Sequence, residues 1–280
     1  MKRVKCGLAT LLLAGTCLGA LAGSARNDIP SCYDAVKLAD DRPAGRPREL
    51  IVAIDETVLL SRPLQESVYQ HALRFVQPGD SVRLYQFSAY LAGKHFSLPF
   101  AGALEAPLPG KLRDSIGMNT VRQLDACLQQ QMDFFRKEFG QKLLQGFAKP
   151  GTDIARSEIF LSLQQIGLDA QANGARDRVM LLVSDMLENS DFANFYAGNR
   201  IRDIDPVQEM RKVDARKLIA DLQGVRVFVL GAGMVPQNAR NTYRSGQTLQ
   251  LLESFWRDYF TRAQGALEAF GAPELTVDLK

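Results

Sequence analysis

Histidine is scarce in this chain, and that scarcity removes whole classes of chemistry. His71 and His95 are the two present in 280 residues. One falls in a helical pattern and the other beside a short edge strand, so neither points to a Ser-His-Asp relay or a zinc site. An excess of one charge is also missing. The formal net charge of +3 is accounted for by Lys2, Arg3 and Lys5, and the rest of the chain is neutral. Without a basic stripe to neutralise phosphates, nucleic acid is not an expected partner. One long apolar run exists, Gly7 to Ala22, and it is too short and too Gly-rich to span a bilayer comfortably. No internal repeat and no low-complexity tract is present. Gly231-Ala232-Gly233 lacks the spacing of a dinucleotide loop and reads as ordinary strand-to-helix packing.

That apolar run, preceded by Lys2, Arg3 and Lys5 and followed by small residues, reads as a secretory signal peptide over residues 1–25. Ala20-Leu21-Ala22 and Gly23-Ser24-Ala25 both offer a cleavage site. A lipid anchor at Cys17 is the other reading, although Thr16 before it matches a lipobox poorly. Export without an anchor implies a periplasmic or secreted protein with no stable membrane span. Cys6 and Cys17 leave with the signal, so Cys32 and Cys127 remain for an oxidising compartment. Either they form one disulfide, tying the N-terminal arm to the helix near residue 127, or they are unrelated thiols.

Residues 26–48 are rich in Pro, Arg and Asp and read as an extended arm. Residues 49–280 form one domain in which strands alternate with helices. Strands are expected at 49–55, 81–88, 94–100, 179–184 and 225–230. Helices are expected at 63–76, 119–146, 154–172, 206–222 and 246–270. The alternation implies an α/β fold: a doubly wound, mostly parallel sheet flanked by helices, with one antiparallel edge strand. Segments 101–150 and 188–213 read as insertions.

Three segments carry the functional signal. Leu50-Ile51-Val52-Ala53-Ile54-Asp55-Glu56-Thr57 is a buried strand ending in an acid. Gly151-Thr152-Asp153 precedes a helix, and Val179 to Asp185 is a second apolar strand ending in Ser184-Asp185. A parallel sheet aligns its strand C-termini on one edge, where these oxygens would meet as a hard-ligand site. Their order, with the Pro78-Gly79-Asp80 turn before a strand ending in Phe87-Ser88 and the late Val225 to Gly233 strand, resembles the von Willebrand factor A (vWA) domain. The resemblance covers about residues 49–270. It implies a metal-ion-dependent adhesion site with Asp55, Thr57, Thr152 and Asp185 around Mg²⁺, open to a carboxylate of a protein partner. Leu59 stands where the family has a second Ser and cannot coordinate, and Ser61 lies two residues too far. Without a metal, these residues would simply cap loops. A haloacid dehalogenase-like phosphatase, with Asp55 as nucleophile and Ser184 downstream, is the alternative. It lacks an acidic pair after a late strand, since Leu230-Gly231-Ala232-Gly233 holds no acid.

The apolar face of the last helix holds Leu249, Leu252, Trp256, Tyr259, Ala263, Leu267 and Phe270, with Phe255 and Phe260 off that stripe. Such a face packs on its own sheet, or else the two phenylalanines serve a partner helix. The chain is thus expected to be an exported binding or scaffolding module of a bacterial envelope and not an enzyme. N-terminal sequencing of the native protein should find the mature chain beginning near Gly23 or Arg26. An intact Met1 in a soluble cytoplasmic fraction would overturn the export reading.

Overall fold

The computed structural model describes residues 26–43, 48–88, 96–147, 156–172, 174–197, 200–234 and 246–280. Thr152, His95 and the signal residues lie outside that set. Six strands form the main sheet: β1 (Arg48–Asp55), β2 (Ser81–Phe87), β3 (Phe96–Ala103), β4 (Asp177–Val183), β7 (Arg226–Leu230) and β8 (Ala266–Gly271). A two-stranded hairpin, β5 (Tyr196–Ala197) with β6 (Arg200–Ile201), lies apart. The main sheet runs in the order β3-β2-β1-β4-β7-β8. Only the β2–β3 pair is antiparallel; the others are parallel. This is the expected doubly wound α/β sheet with an antiparallel edge.

Side chains alternate across each strand, so one sequence feeds two cores. Ile51, Ala53, Met180, Leu182, Val227 and Val229 face α5 (Ile159–Ala172), α6 (Pro206–Ala215) and α7 (Gly246–Arg262). Leu50, Val52, Ile54, Val179, Leu181 and Val183 face α2 (Arg62–Phe75), α4 (Met118–Gly146) and Leu275 and Leu279 of the C-terminal segment. Strands buried on both faces read as unbroken apolar runs, which is why β1 and β4 were easy to recognise.

Three expectations are corrected in these elements. The last helix stops at Arg262, and Leu267 and Phe270 belong to β8. Ala266, Leu267, Glu268 and Ala269 favour helix locally, and pairing with β7 overrides that preference. Phe255 and Phe260 are both fully buried among Phe160, Phe195, Trp256 and Tyr259, so they serve this chain's core and not a partner helix. The helix expected to reach 222 ends at Ala215, with Lys217 in the left-handed region at φ 56°. The stretch beyond is held instead by the Tyr259 hydroxyl, which donates to the Leu218 carbonyl at 3.0 Å and accepts the Ala220 N–H at 3.2 Å. Within segment 101–150 the short helix α3 (Gly110–Arg113) precedes α4, whose Phe135, Phe139 and Leu143 belong to the second core.

Residues 26–48 are not extended throughout. Asp28 pairs with Ala101 of β3 in both directions, through N–H to carbonyl at 2.7 Å and carboxylate to N–H at 3.0 Å. Arg26 donates to the Leu98 and Pro99 carbonyls. The arm thereby covers a sheet edge that would otherwise be free to pair with another chain. It then forms α1 (Cys32–Ala35), whose start is held by Glu105 accepting from the Ser31 hydroxyl at 2.7 Å and the Cys32 N–H at 2.6 Å. Cys32 and Cys127 form a disulfide that closes a loop of sequence separation 95. Loop closure of that size restricts the unfolded chain and typically contributes about 2–4 kcal/mol. Replacing both, Cys32→Ala with Cys127→Ala, should lower unfolding free energy in urea by that amount. An unchanged midpoint would show that the arm is held without it.

Candidate functional site

β1 and β4 pair directly, with Ile54 opposite Val183, so Asp55 and Ser184-Asp185 leave the sheet side by side. Asp55 is 1% exposed. Its Oδ1 accepts the Thr57 N–H at 3.0 Å and the Thr57 hydroxyl at 2.6 Å. Its Oδ2 accepts the hydroxyls of Ser157 at 2.8 Å and Ser184 at 2.9 Å. Ser184 Oγ itself accepts the Met186 N–H at 2.9 Å, which commits its own proton to Asp55. Burial raises the Asp55 pKa, and these donors oppose that rise. Four donors on one carboxylate are an environment for the ionised form.

Asp185 is placed differently. It is half-buried, and among the described residues one hydrogen bond, from the Leu187 N–H at 2.9 Å, reaches its Oδ1. Its pKa lies well above the ordinary carboxylate range, first through burial and then through the charge of Asp55. With the donors gathered on Asp55, the negative charge of this pair belongs there. Asp185 is therefore the member that takes a proton or needs a cation. Burial raises the Tyr196 hydroxyl above the ordinary tyrosine range, and the charge of Asp185 adds to that rise. The following turn is strained. Met186 sits at φ 62°, where a non-glycine residue costs about 1–2 kcal/mol. Its carbonyl accepts the Trp256 indole N–H at 2.8 Å, and the Asp185 carbonyl accepts the Gly233 N–H at 2.8 Å.

A second acidic pair lies next to the first. Glu158 and Glu188 are both fully buried. Glu188 accepts the N–H groups of Ile159 at 2.7 Å and Phe160 at 3.2 Å, so its carboxyl caps α5, where the helix dipole favours negative charge. Burial, joined by repulsion from Glu158, pushes Glu188 up to about 8 against the backbone donors. Arg156 bridges Glu158 at 3.6 Å and Asp191 at 2.7 Å.

The structure thus brings Asp55, Thr57 and Asp185 together, while Gly151, Thr152 and Asp153 lie outside the described residues. The expected helix start near 154 is corrected to Ile159, where the Glu188 carboxyl caps the helix. Leu59 is 44% exposed and Ser61 stands exposed at the N-cap of α2. Ser157, Glu158 and Glu188 were missed. The Ser157-Glu158 pair just ahead of the apolar run at Ile159 is a helix-start signal. Nothing in the sequence marks Glu188 as buried.

Thr57 and Asp185 fit a hard cation. The Thr57 hydroxyl keeps lone pairs after donating to Asp55, and the second oxygen of Asp185 accepts no hydrogen bond among the described residues. Those residues contain no cluster of three His, Cys, Asp or Glu side chains suited to a metal, so hydroxyl and water oxygens would have to complete the shell. Attack by Asp55 on phosphorus is poorly served, since both its oxygens are buried and engaged.

No protein-family model matches the chain, and no curated protein matches it in sequence. Among solved structures, the chain is similar to the pilus adhesin SpaC of Lactobacillus rhamnosus GG in its open conformation. The match has 12% identity and a TM-score of 0.34, and it covers 80% of this chain and 31% of that one. The chain therefore spans less than a third of the adhesin's length.

The Glu188 environment has a pH consequence. Between pH 4.5 and about 8 the folded chain holds a proton that the unfolded chain releases, so stability falls as pH rises through that window. The slope from one such proton is at most about 1.4 kcal/mol per pH unit. Urea unfolding across the window should show Glu188→Gln losing stability less steeply than the parent. Identical slopes would contradict the assignment.

Proposed function

We propose that the chain is an exported vWA-like protein-binding module of a bacterial envelope, with its recognition face at the carboxyl edge of the main sheet. The observation that carries this reading is the division of labour between Asp55 and Asp185. One acid is buried in a cage of hydroxyls, and the other keeps an oxygen that accepts no hydrogen bond among the described residues. The doubly wound strand order is the scaffold such a face requires, since ligands of open α/β sheets bind outside the strand C-termini. The disulfide supports export to an oxidising compartment. No helix among the described residues is long and apolar enough to cross a membrane.

Thr57 and Asp185, with Thr152 from outside the described residues, would hold a Mg²⁺ there. When bound, the cation supplies a coordination position for a partner's carboxylate. This chain's own residues do the rest. Asp55 orients the Thr57 hydroxyl through the 2.6 Å hydrogen bond, and the Ser184-to-Asp55 bond ties the β4 loop to the β1 loop. Leu59 offers an apolar contact where a further ligand would otherwise stand. A shell lacking that hydroxyl relies on water, so binding should be weak.

Calorimetric titration with Mg²⁺ and Mn²⁺ tests this. The parent chain should bind one cation, Asp185→Ala should lose it, and Leu59→Ser should tighten it by adding the hydroxyl. At a hundredfold excess over Kd the cation should stabilise the fold by about 2.7 kcal/mol. Absence of binding in both the parent chain and Leu59→Ser would reduce the resemblance to a shared fold.

A further inference from the structure

α2 and α4 cover the same face of the sheet and touch closely at one point. A Cβ placed on Gly140 would lie 3.1 Å from the Tyr69 ring, and the Tyr69 hydroxyl donates to the Arg136 carbonyl at 3.2 Å. Beside that contact the helices leave a groove of about 550 Å³, within the range of ligand-binding clefts. Its apolar surface comes from the Tyr69 ring and from Leu144, which is 64% exposed, over a floor closed by the buried Leu143. Its rim is cationic: Arg62, Arg136 and Lys137 are exposed there against one acid, Glu66, which already accepts from Gln70 at 2.7 Å. Arg136 has Asp133 at 3.1 Å, while Arg62 and Lys137 have no partner among the described residues.

The charges sit at both ends of the groove. Arg136 is level with Tyr69, whereas Arg62 lies two helical turns away, about 10 Å along α2. An extended segment of about three residues spans that distance. We propose that this groove docks a short acidic peptide segment of a partner protein, with an apolar side chain on Tyr69 and Leu144 and carboxylates at either end. Two separated cationic ends favour a segment with acids on both sides over an amphiphile with one head group. The site goes beyond the cation reading and needs no metal.

Fluorescence anisotropy on the disulfide-bonded chain tests it, using a labelled peptide in which Leu-Phe is flanked on each side by Asp and Glu. A control peptide carries Lys at every acidic position, and oleate serves as a second probe. The acidic peptide should bind more tightly than the control, unaffected by EDTA and weakened by salt. Its affinity should fall about tenfold or more in Arg62→Glu with Lys137→Glu, and also in Leu144→Ser. Circular dichroism of these surface variants should match the parent. Equal binding of the two peptides, affinity unchanged by charge reversal, or binding of oleate without the peptide would each overturn the proposal. Binding abolished by EDTA would assign the peptide to the sheet edge and likewise overturn it.

Discussion

The carboxylate of Asp55 lies in the interior with four hydrogen-bond donors drawn from three separate segments of chain. A bare buried charge is prohibitively unfavourable, whereas hydrogen bonds to a charged group contribute about 1.5–3 kcal/mol each. Those donors therefore decide where the loops go. Thr57 must fold back over β1, Ser157 must reach in from ahead of α5, and Ser184 must turn inward at the end of β4. Once Ser184 points in, Asp185 is directed toward the edge. The strained Met186 turn is the local cost of that arrangement, opposed by the Trp256 indole and the Ser184 hydroxyl.

Much of the scaffold was legible because its signals are local. Apolar runs such as Leu50 to Ile54 and Val179 to Val183 announce central strands, and the Pro78-Gly79-Asp80 turn fixes the start of β2. What escaped was decided by tertiary contact. β8 carries helix-favouring residues and becomes a strand through its pairing with β7. The segment after Ala215 lost its helix to a tyrosine hydroxyl contributed by α7. At the site, Asp55, Thr57 and Asp185 were readable from strand ends. Ser157 and Glu188 were not, because burial of a polar side chain depends on distant neighbours that no local pattern records.

The two proposed recognition surfaces are neighbours. Arg62 begins α2 three residues after the exposed Leu59, and Gln65 donates to the Leu60 carbonyl at 3.1 Å, so the turn that leaves the β1 loop also opens the groove. On the far side of β3, the N-terminal arm and its disulfide seal the sheet edge. That cover closes off edge-to-edge strand pairing there and leaves the carboxyl edge and the α2–α4 face as the two proposed surfaces.

In the proposed arrangement Asp185 faces a cation held beside the Asp55 cage. Paramagnetic broadening of backbone amide signals by Mn²⁺ reports that location directly. Broadening should centre on the Thr57 and Asp185 loops and spare the groove around Gly140. Broadening centred on surface acids such as Asp133 or Asp258, or none at all, would contradict it.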